Sequence, residues 1–449
     1  MTGPKYWVET LGCPKNAVDS DKIVAQLRAD GLEPARAASE ADVVVVNTCA
    51  FIEAAREESV EVLLSLGAER KPGARLVATG CMAERYGDEL AAALPEADAV
   101  VGFAGQSTIS QQMGVGVPVT LGRKPTEPVS LLDLPRGVPD VPWAYLKVAE
   151  GCDRACAFCA IPTFRGAQRS REPESIEREA RALVEGGVRE IVLVAQDLAW
   201  FGRDTGTPGA LEPLLRRLDT LRADGLERIR LLYLYPSEVH DPLVATMLEL
   251  PSVVPYFDLS LQHASRPLLR RMKRWGSGEQ FLDLIARIRR DEPQATFRSS
   301  FISGFPGETE AMHDELLEFV EAAQLDWAGF FSFSREEGTA AANLDGELAA
   351  DVVRERLAEL HDVQEPITGA ARAALVGAPV DVLIDRVDSD TGVAVGRSYR
   401  EAPEIDGLVH VDASEGETVA GTTVRASVHG CDGTDLFASV TAVALDRAR

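Results

Sequence analysis

The sequence predicts an α/β protein in three parts: an amino-terminal open parallel α/β domain over residues 1–125, a central partial (β/α)6 barrel over 143–368, and a small carboxy-terminal β-barrel over 369–449. Three observations carry this. Strand-like runs alternate with helical periodicity through the first two parts, which implies parallel sheets covered by helices. Pro125, Pro128, Pro135, Pro139 and Pro142 crowd a stretch without periodicity, marking a linker over 126–142. Beyond about Gly369 the helical pattern stops, and Gly and Asp-Gly turn signals separate short runs.

In the first part, residues 6–9, 43–46 and 76–78 read as buried strands, too apolar for a sheet with one wet face. Residues 16–29, 53–66 and 83–94 read as the helices between them. The second part holds six strand candidates, at 145–149, 190–195, 229–234, 256–261, 297–302 and 328–333. Six β/α units predict an open arc rather than the closed eight-stranded form. The third part offers short strands at 380–384, 407–411, 424–428 and 439–445.

Apolar residues make up 45% and charged residues 26%, the composition of a soluble globular protein. A chain of 449 residues buries a large core without disulfide staples. The start, MTGPKYWVET, has no basic region followed by an apolar run, and the longest aliphatic run is only 43–46. The expectation is a cytoplasmic protein without membrane contact, whose seven cysteines are thiols or metal ligands. With 46 basic and 71 acidic residues the net charge is −25. Such a chain repels nucleic-acid phosphates outside any local basic patch, so nucleic-acid binding is not expected to dominate.

The strongest motif is EGCDRACAFCAIP. Cys152, Cys156 and Cys159 are spaced C-x3-C-x2-C, directly after the first barrel strand. Reactive groups of barrel enzymes sit at that end of a strand. Three thiolates can ligate three irons of a [4Fe–4S] cluster and leave the fourth iron open for a substrate. A four-cysteine zinc site would need a fourth partner, and the loop has none. Phe158, before the last cysteine, can pack against the loop.

This C-x3-C-x-aromatic-C loop resembles the radical S-adenosylmethionine superfamily. The resemblance implies that the open iron binds the amino and carboxylate groups of S-adenosylmethionine. An electron from the cluster then breaks the sulfonium bond, and the 5′-deoxyadenosyl radical removes hydrogen from unactivated carbon. It also implies an electron donor, flavodoxin- or ferredoxin-like.

Cys13, Cys49 and Cys81 lie far apart in sequence, yet each follows a predicted strand and precedes a predicted helix. In an open parallel sheet such strand ends share one edge, where ligand crevices form. Core packing is the competing reading for small buried cysteines. Three thiolates on one edge imply a second [4Fe–4S] cluster, and two incompletely ligated clusters suggest a reaction needing both a radical and a sulfur donor.

Four blocks, TLGCPKNAVDSD, EGCDRACAFCAIPTFRG, DLSLQHAS and SGFPGETE, together resemble the methylthiotransferase family over nearly the whole chain. The resemblance implies a TRAM-like carboxy-terminal barrel. TLGCPKN and TFRG look most like the branch that adds a methylthio group to the β-carbon of one aspartate in ribosomal protein S-twelve. The related transfer RNA enzymes usually read more like GCQMN at the first cysteine. One S-adenosylmethionine would supply the methyl and another the radical. From Thr368 to Arg449 there are seven Arg and no Lys against thirteen Asp and Glu, a net charge of −6. That is a poor phosphate binder and suits a basic ribosomal protein as substrate. Two alternatives stay open: a transfer RNA adenosine methylthiotransferase, and a non-catalytic iron–sulfur or zinc module docking on ribosome or RNA.

Gln196 and Asp197 end the second barrel strand, and Gln262 with His263 ends the fourth, where cofactor or substrate contacts are expected. Arg298, charged in an otherwise apolar fifth strand, needs a carboxylate from cofactor or protein. Phe158, Gln196, Gln262 and Arg298 are the candidate cofactor contacts. Gly304, Pro306 and Gly307 either approach the adenine or make a turn.

Overall fold

The computed structural model describes residues 3–115, 131–388, 391–412 and 418–443. Expected features at 126–130 and 444–445 lie outside these residues.

The amino-terminal part is a five-stranded parallel sheet. Its strands are β1 (Lys5–Thr10), β2 (Glu33–Pro34), β3 (Val43–Thr48), β4 (Arg75–Gly80) and β5 (Ala99–Val101), in the order β2-β1-β3-β4-β5. Helices α1 (Pro14–Ala29), α2 (Glu53–Glu69) and α3 (Cys81–Ala93) connect them, and the short α4 (Ile109–Gln112) follows. All six residues of β3 are buried, as a strand covered on both faces requires. The edge strands β2 and β5 have no counterpart in the sequence reading. They are two and three residues long, too short to show a period.

The central part begins with β6 (Trp143–Lys147). Two short strands, β7 (Ala149–Glu150) and β8 (Arg169–Ser170), then pair antiparallel and clasp the base of the cysteine loop, which carries α5 (Ile161–Arg165). After α6 (Pro173–Glu185), β9 (Glu190–Val194), α7 (Leu211–Asp219), β10 (Arg228–Leu231), α8 (Asp241–Glu249) and β11 (Tyr256–Gln262), the chain makes α9 (Arg266–Arg271) and α10 (Gly278–Asp291). Strand β12 (Thr296–Ser303), α11 (Glu310–Ala323), β13 (Trp327–Ser332) and α12 (Ala350–Ala373) complete it.

Two parallel three-stranded sheets, β6-β9-β10 and β11-β12-β13, are joined by isolated bridges, Ile229 to Val253 and Leu234 to Leu259. The result is the expected open arc. Alternate residues of the strands face the outer helices, as Phe301 does against Phe319 of α11 at 6.0 Å between ring centroids. The other residues point inward.

The carboxy-terminal part is a closed barrel of β14 (Pro379–Val387), β15 (Ala394–Arg397), β16 (Val409–Asp412), β17 (Thr423–Asp432) and β18 (Asp435–Val443). Strand β15, four residues of Ala-Val-Gly-Arg, is absent from the sequence reading.

What fills the arc positions the site. An open six-stranded arc cannot close its own interior. Val18 of α1 and Ala402 of the carboxy-terminal part pack there with Tyr145, Val192, Val194, Tyr256 and Trp327. Paired charges line the same space. Arg397 bonds Glu190 and Asp385, Arg230 bonds Glu190, and Lys147 bonds Asp19 of α1. Buried charges persist only when paired and hydrogen-bonded, and such pairing fixes how the three parts seat on one another. No helix among the described residues is long and apolar enough to cross a membrane.

Candidate active site

Cys13, Cys49 and Cys81 each stand just beyond the carboxyl end of β1, β3 or β4, and the structure brings these ends together. A methyl group at Gly12 would sit 2.9 Å from the Cys49 sulfur. Asn16 ties the three ends: its Nδ2 donates to the carbonyls of Leu11 (2.9 Å) and Thr48 (3.1 Å), and the Cys81 Sγ lies 3.5 Å from its Oδ1. Burial opposes a thiolate at Cys13, but Lys15 and Arg165 outweigh it and lower the pKa. Burial pushes Cys49 up to about 12. It also raises Cys81, against the opposing pull of Arg165.

The second set lies in the loop after β7. Gly151, at φ +83°, opens the loop, and a Cβ there would meet the Ala167 carbonyl oxygen at 2.1 Å. Only glycine allows the loop's two ends to approach this closely. The Cys152 amide donates to the Gly166 carbonyl at 3.1 Å, and the Ala157 amide to the Met272 carbonyl at 2.8 Å. Burial raises Cys152 to about 11 and Cys159 to about 12. Metal ligation must therefore be coupled to proton release at these thiols.

Arg165, at the end of α5, joins the amino-terminal set to Glu150 of β7, the strand that leads into the cysteine loop. Its Nη2 lies 3.0 Å from the Cys81 sulfur and 2.7 Å from Asn16 Oδ1, while its Nη1 lies 2.7 Å from Glu150 Oε1. Glu150 also accepts from Lys147 (2.7 Å) and from Gln196 Nε2 (2.6 Å). Burial works against the Glu150 carboxylate, but Arg165 and Lys147 together hold it well below the usual range.

The donor sets fit iron–sulfur clusters better than a single ion. Each set supplies three thiols: a closed tetrahedral zinc site takes four ligands, whereas a [4Fe–4S] cluster held by three thiolates keeps one iron open for a substrate. A buried polar atom also waits beside the loop: Gln196 Oε1 has no hydrogen-bond partner. A cofactor amine or hydroxyl would satisfy it.

Of the four candidate cofactor contacts, Gln196 lies beside the cysteine loop through its bond to Glu150. Gln262 ends β11 in a left-handed conformation (φ 74°) at a register shift, which turns the chain at the barrel's rim. Phe158 is half-buried against the barrel's own hydrophobic core. For Arg298 the sequence left the carboxylate to cofactor or protein, and the structure supplies it from the protein. Arg298 stands five residues before the end of β12, and it spends its charge on Asp258 (3.0 Å) and Asp406 (3.7 Å), joining the barrel to the carboxy-terminal part. The carboxylate it required is the protein's own. Gly304 (φ 82°) and Gly307 (φ 86°) form a turn, in which the Gly304 amide donates to Glu308 at 2.6 Å.

Sequence reading did not single out Arg165, Glu150, Lys147, Asn16 or Arg274. Arg165 and Asn16 lay inside the blocks TFRG and CPKN. Arg274, whose Nη1 is 3.4 Å from the Cys156 sulfur, comes from the turn after α9, 115 positions beyond Cys159, and carried no local signal.

An arc of six parallel strands with a three-cysteine loop after the first defines the radical S-adenosylmethionine class of proteins. Residues 146–320 match the radical SAM superfamily, residues 5–102 the family described as uncharacterized protein family UPF0004, and residues 376–441 the TRAM domain. The fold is similar to that of TsrM from Kitasatospora setae, a radical S-adenosylmethionine methyltransferase solved with cobalamin and a [4Fe–4S] cluster. The TM-score is 0.54 at 14% identity, covering 76% of this chain and 74% of that one. Among curated proteins, the chain is 42% identical to the ribosomal protein uS12 methylthiotransferase RimO of a Nocardioides species, over 96% of this chain and 95% of the relative. It is equally 42% identical to those of Streptomyces griseus and Cutibacterium acnes, over 96% of each chain. The chain belongs to the RimO family of methylthiotransferases.

Proposed function

We propose that this protein adds a methylthio group to the β-carbon of an aspartate in ribosomal protein S-twelve. The observation that carries the reading is a pair of three-thiol sets, one on the amino-terminal sheet edge and one in the loop after β7, linked through the Arg165–Glu150 pair in a chain of this family.

In this reading Cys152, Cys156 and Cys159 hold one [4Fe–4S] cluster, and Cys13, Cys49 and Cys81 hold a second. With S-adenosylmethionine bound, the clusters supply the electron, the radical and a sulfur carrier. The protein's share is placement. Gly151 and the β7–β8 clasp fix the loop, and Gln196 turns an unpartnered oxygen toward a polar group of the cofactor. Asn16 holds the ends of β1 and β3 while touching Cys81. Val18 and Ala402 close the barrel's interior to water. The acidic carboxy-terminal part favours a basic protein over RNA. The electron donor is an acidic flavodoxin- or ferredoxin-like carrier.

The test is to offer reconstituted enzyme the ribosomal protein and transfer RNA separately and to weigh the products. The methylthio mass increase is expected on the protein alone; a gain on RNA alone overturns the reading. Cys156→Ala should abolish 5′-deoxyadenosine formation. Cys49→Ala should keep it and lose the methylthio product.

A further inference from the structure

The chain carries a net charge of −25, yet between Asp258 and Glu279 it has no acidic residue. In that interval stand Arg266, Arg270, Arg271, Lys273 and Arg274. Four of them, Arg266, Arg270, Arg271 and Lys273, are exposed. Most arginines of this protein are matched to carboxylates, but none of these four has one within ion-pair distance among the described residues. Arg271 donates to the carbonyls of Pro306 (2.7 Å) and Asp345 (2.9 Å), which leaves its charge uncancelled. Nearby Glu347 is taken by Arg335. Arg266 lies at the edge, where it lines a groove with Glu279, Glu315 and Glu318. Trp275, 42% exposed, lines a separate groove with His240, Asp283 and Arg287.

The inner side of the same turn lies on the cysteine loop. The Met272 carbonyl accepts from the Ala157 amide, and the Arg274 guanidinium reaches to 3.4 Å from the Cys156 sulfur. Arg274 also stacks 4.2 Å from the Tyr235 ring, whose hydroxyl accepts from the Trp275 amide at 3.2 Å. Between solvent at Lys273 or Trp275 and the Cys156 sulfur there is the thickness of one turn of chain. Electron tunnelling falls exponentially with distance, so a protein donor must dock where a cluster's ligand comes nearest the surface. Uncancelled positive charge around an exposed aromatic residue is the composition of a docking face for an acidic protein.

We propose that the face formed by Arg270, Arg271, Lys273 and Trp275 is the docking surface for an acidic one-electron carrier protein. The proposal rests on the reading that Cys152, Cys156 and Cys159 hold a redox cluster. One electron leaves the reduced carrier and enters that cluster; the carrier is oxidised by one electron, and no bond or proton is exchanged. RNA is the other polyanion such a patch could hold, but the closeness of this turn to the Cys156 sulfur favours an electron carrier.

The test uses reconstituted full-length enzyme and two reductants, reduced flavodoxin and dithionite, with the cluster's reduction followed spectroscopically. Arg270→Glu with Lys273→Glu should slow reduction by flavodoxin roughly tenfold or more and flatten its salt dependence. Reduction by dithionite, which needs no docking face, should not change. The charge-conserving pair Arg270→Lys and Lys273→Arg should keep the wild-type rate. An unchanged flavodoxin rate overturns the proposal, as does equal slowing with both reductants. Loss of affinity for a single-stranded RNA oligomer with an unchanged flavodoxin rate would give the face to RNA instead. If dithionite-reduced wild type formed no 5′-deoxyadenosine, the functional reading would fall, while the flavodoxin rates would still report docking.

Discussion

The guanidinium of Arg165 stands 3.0 Å from the sulfur of Cys81, although the two residues belong to different parts of the chain. The same guanidinium meets Glu150, two residues before Cys152, at 2.7 Å, so a single buried cation ties the amino-terminal thiols to the strand that leads into the cysteine loop. It is also stacked 4.7 Å from the Phe103 ring, which leaves its plane little freedom. An arginine held this way supports thiolate character at Cys81 and Cys13 and, together with Lys147, balances Glu150 and Asp19.

Arg165→Met should therefore act on the amino-terminal thiol set first. Iron should fall from about eight to about four atoms per chain, with 5′-deoxyadenosine formation retained after reduction. Stability should drop by about 3–5 kcal/mol, because Glu150 and Asp19 lose a buried partner. Arg165→Lys keeps the charge but not the fork that reaches Asn16, Cys81 and Glu150 at once, and should recover only part of either loss. Iron analysis and thermal melts decide it; full iron loading in Arg165→Met would remove the bridging role.

A second prediction concerns the ion pair that seats α1 in the barrel. Lys147 Nζ is buried between Asp19 and Glu150. Lys147→Met should cost about 3–5 kcal/mol, as expected when one partner of a buried pair is removed. Asp19→Asn in the Lys147→Met background should cost less than in the wild type, with a coupling of about 1 kcal/mol or more. Denaturant titrations of the four proteins measure the cycle, and additive losses would mean that the pair does not act as a unit.

How much of this was legible beforehand follows from the range of each signal. Strands β1, β3 and β4 and the six barrel strands show in the sequence because each region holds several strand-forming apolar residues close together, most densely in β3 and β9. The three thiol positions on the amino-terminal edge were legible because strand–cysteine–helix repeats three times. Arg298's partner stayed open in the sequence because a charged residue in a strand announces only that it needs one. Whether Asp258 and Asp406 or a ligand answers is decided by residues 40 and 108 positions away. Arg274 was invisible for the same reason. It reads as one more basic residue after α9 until the turn folds back onto Cys156.

Acid should loosen the seam between the barrel and the carboxy-terminal part. Burial alone would raise Glu190, but Arg397, Arg230 and Arg228 pull it down to about 2. Its folded pKa lies below the unfolded value of about 4.3, so the unfolded chain binds the proton more readily between these two values. The stabilisation is complete above about pH 4.3 and is lost as the pH falls toward about 2. Glu190→Gln leaves Arg397 and Arg230 short of charge at neutral pH, so its melting temperature should lie well below that of the wild type. The gap should narrow as the pH drops through that window; a gap constant from pH 7 to pH 3 would show that the carboxylate's charge is not what binds the seam.

The last prediction separates backbone strain from crowding at the thiol edge. Gly80 and Gly73 have nearly the same positive φ, 89° and 85°. A Cβ at Gly73 meets nothing within 4 Å, whereas one at Gly80 would fall 2.2 Å from Asn47 Oδ1 and 2.6 Å from the Thr48 carbonyl oxygen. Gly73→Ala should cost only the conformational strain, about 1–2 kcal/mol, and leave iron content unchanged. Gly80→Ala carries strain of its own, because ψ −156° puts Gly80 in a region that side chains essentially never adopt, and the backbone that must also yield belongs to β3 on one side and Cys81 on the other. Moving that junction shifts the Cys81 sulfur away from Asn16 and Arg165. The expected result is a larger loss of melting temperature together with loss of the amino-terminal cluster's iron. Equal behaviour of the two variants would mean that the strand ends relax freely and that the edge is not a rigid cradle for the thiols.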